Sequence, residues 1–338
     1  MTTPAIIVAA MRQAVEQSLA VKGATYPNPP VGAVILDSAG NVAGVGATGP
    51  AGAAHAEVLA LRAAGERAGG GTAVVTLEPC NHHGRTPPCV DALLDAGVAA
   101  VVYAVADPNP VATGGAGRLH AAGVAVTAGV AAEEVAAGPL REWLHKHHNG
   151  FPHVTWKFAT SIDGRSAAAD GSSQWITSAA ARADVHRRRT AADAIVVGTG
   201  TVFADNPSLT ARLPDGTPAA QQPLRVVVGQ RDIPAGSLVL SQDSPTLLLH
   251  TRDPREVLRV LADRTDVLLE GGPTLAGAFL RAGAVHRILA YVAPMLLGGP
   301  VTAVDDVGVA TIAGALRWRY DGVEQIGPDL LLSLTPAY

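Results

Sequence analysis

What this sequence is short of narrows its identity first. Only two cysteines occur in 338 residues. That is far too few for a disulfide scaffold, so a metal or catalytic role for the pair gains weight. Net positive charge is also missing. The formal balance is −4, which leaves no basic footprint for nucleic acid. A small phosphorylated molecule would need only a local cluster of cations. No uninterrupted apolar run reaches the roughly 18 residues a membrane helix requires. The best candidate, YVAPMLLGGPVTAV, is broken by proline and glycine. The opening MTTPAIIVAAMRQAVEQ has no basic stretch ahead of its apolar run, so it reads as an amphipathic helix, not a signal peptide. A cytoplasmic protein is expected. Much of the 48% hydrophobic content is alanine, but at roughly 150 residues per domain the length suits two ordinary cores.

Helix-like and strand-like patterns alternate through the first half. PAIIVAAMRQAVEQSLAVKG reads as a helix, VGAVILD and VAGVGA as strands around the turn SAGN, and HAEVLALRAAGERAGG as a second helix. TAVVTLEP, CVDALLDAG, VAAVVYAV, AGRLHAAG and VAVTAG continue the alternation. This pattern predicts an α/β sandwich on a mostly parallel sheet with one hairpin. EEVAAGPLREWLHKHHNG reads as one helix closed by Gly150, which places domains at 1–149 and 150–338. A second α/β series follows, from HVTWKFATSIDG and SAAARADVHRRRTAAD to RILAYVAPMLL and DLLLSLTPA.

The cysteines lie in EPCNHHGRTPPC, as Cys80 just after a strand and Cys89 just before a helix. Upstream, HAEV places His55 and Glu57 at a helix start. His55, Cys80 and Cys89 would give zinc three protein ligands and leave the fourth position for water, as catalytic sites require. Glu57 is then the proton carrier, in the manner of zinc deaminases. Two cysteines nine apart are also ordinary core residues, and HAE occurs by chance on many helices. The combination at strand and helix ends favours zinc. The loop holds eight residues between the cysteines, where the general deaminase signature holds two. His82 and His83 are read as histidines of that loop that face solvent or stand behind the ligands, not as ligands themselves.

The second half lacks a G-x-G-x-x-G, so a standard dinucleotide fold is not supported. EGGPTLAG instead turns from a strand into a helix whose free N–H groups suit a phosphate. A plain strand-to-helix turn is the commoner meaning. HRRR at 186–189 reads as a solvated or dipole-compensating face.

TYPNPPVGAVI, HAEV, LEPCNHHGRTPPC and DPNP together resemble the bifunctional riboflavin-biosynthesis family. That family joins a pyrimidine deaminase to a 5-amino-6-(5-phosphoribosylamino)uracil reductase, and the likeness covers almost the whole chain. It implies a cytidine-deaminase-like α/β/α sandwich followed by a dihydrofolate-reductase-like α/β domain. One zinc per chain and NADPH are the implied cofactors. The implied reactions are hydrolytic deamination of 2,5-diamino-6-ribosylamino-4(3H)-pyrimidinone 5′-phosphate, by zinc-activated water, and reduction of the product's ribose to a ribityl chain. The resemblance gives His55, Cys80, Cys89 and Glu57 the roles above and makes Asn28 a substrate contact. In the reductase it implies that Ala159, Trp175, Thr201, Asp205 and the turn Gly272, Pro273, Thr274, Leu275, Ala276, Gly277 and Ala278 touch NADPH. Lys157, Ser173, Arg189, Leu209, Arg212 and Glu270 would touch substrate. It also implies a homo-oligomer, dimer or tetramer, with no nucleic-acid or membrane partner. Two departures stand out. Thr48 takes the place of a histidine the family usually carries there, and VATGGAG after DPNP is irregular. The rival readings are a nucleoside or nucleic-acid deaminase with an inactive appendage, and a non-catalytic zinc-stabilised module.

Overall fold

Thr3 opens the first helix. Its hydroxyl accepts from the Ile6 N–H at 3.5 Å, and Pro4 occupies the first turn, where a missing N–H costs nothing. A computed structural model describes residues 3–337. The chain divides after Gly150 into two compact units.

The first unit runs α1 (Pro4–Ala20), β1 (Gly32–Leu36), β2 (Val42–Ala47), α2 (Ala56–Ala64), β3 (Thr72–Leu77), α3 (Cys89–Asp95), β4 (Ala100–Val105), α4 (Gly115–Ala121), β5 (Ala125–Ala128), α5 (Ala132–Ala137) and α6 (Arg141–Asn149). The sheet order is β2-β1-β3-β4-β5. β1 is antiparallel to both neighbours, and the other two pairings are parallel. The sheet is therefore evenly mixed, not mostly parallel. The hairpin reverses the chain, α2 carries it over β1, and β3 lands parallel to β2 and so antiparallel to β1. Every residue of β1 and β3 is buried, so both faces are covered. The expected single helix over 133–150 is two, α5 and α6, because Gly138 and Pro139 interrupt it. Gly150 ends α6 in the left-handed region at φ 79°.

Glycine sets how closely α2 can approach β2. A Cβ on Gly46 would lie 2.4 Å from the Ala56 carbonyl oxygen, and one on Gly44 would lie 2.2 Å from that of Ala60. Only glycine permits this contact, and it fixes where the first turn of α2 sits.

The second unit runs β6 (His153–Ser161), α7 (Ala179–Ala191), β7 (Ala194–Gly198), α8 (Thr199–Asp205), β8 (Leu224–Val228), β9 (Thr246–Leu249), α9 (Pro254–Val260), β10 (Asp266–Leu269), α10 (Pro273–Arg281), β11 (Arg287–Ala293), β12 (Trp318–Ile326) and β13 (Asp329–Pro336). Eight strands lie in the order β12-β13-β11-β6-β10-β7-β8-β9. β11 through β9 are parallel, and β13 and β12 close one edge antiparallel. The chain steps outward from β7 to β9 and then returns to insert β10 between β6 and β7. Ligand crevices in open parallel sheets form at the carboxyl ends beside such reversals. The expected strand over 287–297 stops at Ala293, ahead of Pro294. α8 and β12 carry no expectation from the sequence.

Candidate functional site

β3, the loop after it and the starts of α2 and α3 build the first site. His55 caps α2 in an extended conformation, with its side chain making no cap bond, so the ring can turn away from the helix. Nδ1 lies 3.2 Å from Cys89 Sγ and 3.6 Å from Cys80 Sγ. The three donor atoms all lie within 4.8 Å of one another. The backbone N–H of Cys89 donates to Cys80 Sγ at 3.3 Å, tying the first cysteine to the head of α3. On the far side of the ring, Nε2 meets Thr86 Oγ1 at 3.3 Å. A Cβ on Gly115 would fall 1.9 Å from the Pro79 carbonyl oxygen, so α4 starts hard against the residue preceding Cys80.

The electrostatics fit a divalent cation. The hydrogen bond between the sulfurs lowers the Cys80 pKa and raises that of Cys89, so one thiolate forms readily and the second needs a cation beside it. One imidazole and two sulfurs suit zinc and leave its fourth position open. Glu57 is buried two residues beyond His55. Burial, and then the negative charge of Cys80, push its carboxyl up to about 7.

The other expected residues of this unit are placed as follows. Asn28 is half-buried in the turn after α1, where its N–H donates to the Thr25 carbonyl and its own carbonyl accepts from Thr25 Oγ1, each at 2.9 Å. Thr48 is buried, and its hydroxyl accepts from the Val31 N–H at 3.1 Å, so it closes the β1–β2 ladder. His82 and His83 are half-buried and exposed, outside the three-donor cluster. Sequence reasoning assigned nothing to Glu78 or Asp107, although both stand in quoted motifs. The buried Glu78 carboxylate accepts from the N–H groups of Asp107 at 3.2 Å and Ala116 at 3.0 Å. Burial raises Asp107 to about 6. An acid ahead of Pro-Cys is the signal that could have found Glu78.

In the second unit a charged trio sits where β10 ends beside β6. Glu270 takes a bidentate bond from Arg189 at 2.8 and 2.9 Å, and Lys157 Nζ stands 3.8 Å away. Burial alone would raise the Glu270 carboxyl, but Arg189 and then Lys157 outweigh it and hold it down to about 2. Arg189 also donates to the Thr210 carbonyl at 3.3 Å, and Arg212 reaches Thr210 Oγ1 at 3.2 Å and Ser208 Oγ at 3.3 Å. Leu209, buried at φ 55°, lies within that loop. These contacts join four of the six substrate residues expected in this unit, with Leu209 in the connecting loop. The sixth, Ser173, bonds Asp205 at 3.4 Å.

The expected cofactor residues divide into two groups. Gly272 caps α10 with no side-chain bond, so the first-turn N–H groups face outward at a nine-residue helix. Such a cradle fits a phosphate of NADPH. A Cβ on Gly272 would lie 3.7 Å from Thr201 Oγ1, which joins α8 to the turn. Thr274 donates to Asp305 at 2.7 Å, and Leu275 packs against Gly271 and Gly198. Further along, Ala276 lies in the core, Gly277 admits the Asp306 carbonyl, and Ala278 is half-buried. Ala159 packs beside Tyr291. Trp175 is exposed, with the Arg182 guanidinium 4.5 Å above its ring.

HRRR is only partly a solvated face: Arg187 is exposed, while Arg188 and Arg189, in the last turn of α7, are half-buried. Arg187 and Arg188 each bond Asp184 at 2.8 Å, Arg188 also reaches the buried Tyr291 hydroxyl at 2.8 Å, and Tyr291 donates to Asp184. The buried acid three residues before Arg187 converts the run into a structural cluster. Asp184 and Tyr291 were missed because nothing local marks either.

Two family models match the chain. Residues 6–105 match the cytidine and deoxycytidylate deaminase zinc-binding region, and 152–332 match the RibD C-terminal domain. The riboflavin biosynthesis protein RibD of Mycobacterium tuberculosis (strain CDC 1551 / Oshkosh) is 70% identical over 325 residues, 96% of each chain. That of Escherichia coli (strain K12) is 40% identical, over 93% of this chain and 95% of its own. The solved Acinetobacter baumannii RibD, form 1, superposes with a TM-score of 0.90 at 37% identity, covering 99% of both chains. The Thermotoga maritima diaminohydroxyphosphoribosylaminopyrimidine deaminase/5-amino-6-(5-phosphoribosylamino)uracil reductase gives 0.90 at 30% identity, over 98% of this chain and 99% of that one.

Proposed function

This chain belongs to the RibD family of riboflavin biosynthesis proteins, and from that premise we propose how its own residues divide the work of a bifunctional deaminase and reductase. In the first unit His55, Cys80 and Cys89 hold one zinc. Bound zinc lowers the pKa of a water to about 7. Glu57, with a carboxyl poised near neutrality, would take one proton from the attacking water and give it to the ring nitrogen, then carry the proton of the newly added hydroxyl to the amine, which leaves as ammonia. Asn28 orients the aminopyrimidine of 2,5-diamino-6-ribosylamino-4(3H)-pyrimidinone 5′-phosphate. Thr48 serves the sheet, so the usual histidine contact has to come from elsewhere.

In the second unit NADPH supplies hydride to the sugar C1 of 5-amino-6-(5-phosphoribosylamino)uracil. The N–H groups of Gly272, Thr274 and Leu275, with Thr201, Ala159, Trp175 and Asp205, hold the cofactor. Glu270, kept ionised, accepts hydrogen bonds and anchors Lys157 and Arg189. Arg212 faces the substrate phosphate, with Ser173 and Leu209 shaping the pocket. A homo-oligomer in the cytoplasm completes the reading. The exposed Leu296, Ile312 and Tyr320 offer apolar surface to a second copy, and both cysteines are free thiols suited to metal.

The observation that carries the deaminase half is His55 Nδ1 facing both sulfurs with Glu57 buried two residues away. Glu57→Gln should cut ammonia release by roughly 10²–10⁴-fold, while NADPH oxidation on the deaminated substrate continues. Loss of both activities together in a folded, zinc-loaded protein would refute the division.

A further inference from the structure

A line of contacts runs across the carboxyl ends of β10, β7 and β8 and ends on an arginine without a counter-ion. It starts at the Gly272 turn, where a Cβ would lie 3.7 Å from Thr201 Oγ1. One residue before Thr201, a Cβ on Gly200 would lie 3.7 Å from Arg231 Nη2. Gly229, just past β8, is held against Thr199, where a Cβ would come within 2.4 Å of Oγ1. The loop carrying Arg231 is therefore pressed onto the start of α8. The guanidinium lies 4.5 Å above the ring of Phe203, which is 47% exposed.

Arg231 is exposed and makes no ion pair or hydrogen bond with any described residue. The adjacent acid, Asp232, lies 3.9 Å from His250 Nε2 instead. An arginine stacked on an aromatic face keeps its plane fixed and its N–H edge open, the arrangement that binds a phosphate bidentately. Two strand spacings of about 4.8 Å separate β10 from β8. That distance, roughly 10 Å, is on the scale of a diphosphate and the ribose attached to it. Dinucleotide sites that accept a ribose 2′-phosphate use an arginine there, whereas an acid at that point selects the free hydroxyl.

We propose that Arg231, braced by Phe203, is the residue by which the second unit selects a nicotinamide dinucleotide carrying a 2′-phosphate over one without it. The proposal rests on the reading above that the Gly272 turn holds the cofactor diphosphate, and it adds the specificity determinant. Residues of α8 would hold the adenosine end of the cofactor, and the guanidinium edge of Arg231 would face its 2′-phosphate.

Calorimetric titration of the full-length chain with adenosine 2′,5′-bisphosphate and with adenosine 5′-monophosphate tests this without turnover. The unaltered chain should bind the bisphosphate more tightly. Arg231→Ala should weaken bisphosphate binding on the order of 10- to 100-fold and leave the monophosphate unchanged, removing the preference. Arg231→Lys should fall between, because charge remains but the fork is lost. The ratio of KM for NADH to KM for NADPH should fall in parallel. Equal weakening of both nucleotides, or an undiminished preference in Arg231→Ala, would overturn the assignment while leaving the cofactor reading intact. If the unaltered chain bound neither the bisphosphate nor NADPH, the cofactor reading would fall and this proposal with it.

Discussion

Arg189 and Lys157 both direct their charge at Glu270, at 2.8 and 3.8 Å. The family resemblance implies that all three residues are substrate contacts, but their mutual pairing appears only when β6, β10 and α7 are in place. Glu270 has a folded pKa of about 2, below the roughly 4.3 of a free glutamate. A depressed carboxyl stabilises the fold above its unfolded value and loses that contribution as pH falls through the folded one. The second unit should thus lose up to about 3 kcal/mol from this group between roughly pH 4.3 and 2. Urea unfolding across that range should show a steeper fall for the unaltered protein than for Glu270→Gln. At neutral pH the same substitution should cost about 3–5 kcal/mol, because two buried cations then face each other without an anion. Thr48 is a residue where a departure from family pattern has a visible use: its hydroxyl serves Val31.

Among elements, the legible ones carry a clear period or a hard stop. α1, β1, β3, β10 and α10 follow from apolar runs bounded by proline or glycine. β12 did not, since WRYDGVEQI is exposed along almost its whole length and has no buried face to impose alternation. α8 was lost inside GTGTVFAD, which is too short and glycine-rich to show a helical period. The glycines of β2 read as strand residues, with no hint that α2 rests on them. Gly46→Ala places a methyl 2.4 Å from the Ala56 carbonyl and must push α2 outward, taking His55 and Glu57 with it. Overpacking of this kind costs about 1–3 kcal/mol. Zinc content by atomic emission and ammonia release should both drop, with NADPH oxidation retained.

For the whole molecule, two compact units, each with its own main buried core, carry two chemistries in one chain. The donor triad was legible because its parts lie in two short segments at element ends. The Glu270 cluster was less so, since its residues come from β6, α7, the loop after α8 and the end of β10, spread over more than a hundred positions. Removing zinc with a chelator should abolish ammonia release and leave NADPH oxidation on deaminated substrate unchanged. Readdition of zinc should restore the first activity.

The enlarged loop between the cysteines brings Thr86 to Nε2 of the His55 ring. With a metal on Nδ1 the ring proton would sit on Nε2, where the Thr86 hydroxyl can accept it and hold the imidazole plane in place. A loop trimmed to two residues would discard that acceptor and leave the far edge of the ring to another partner.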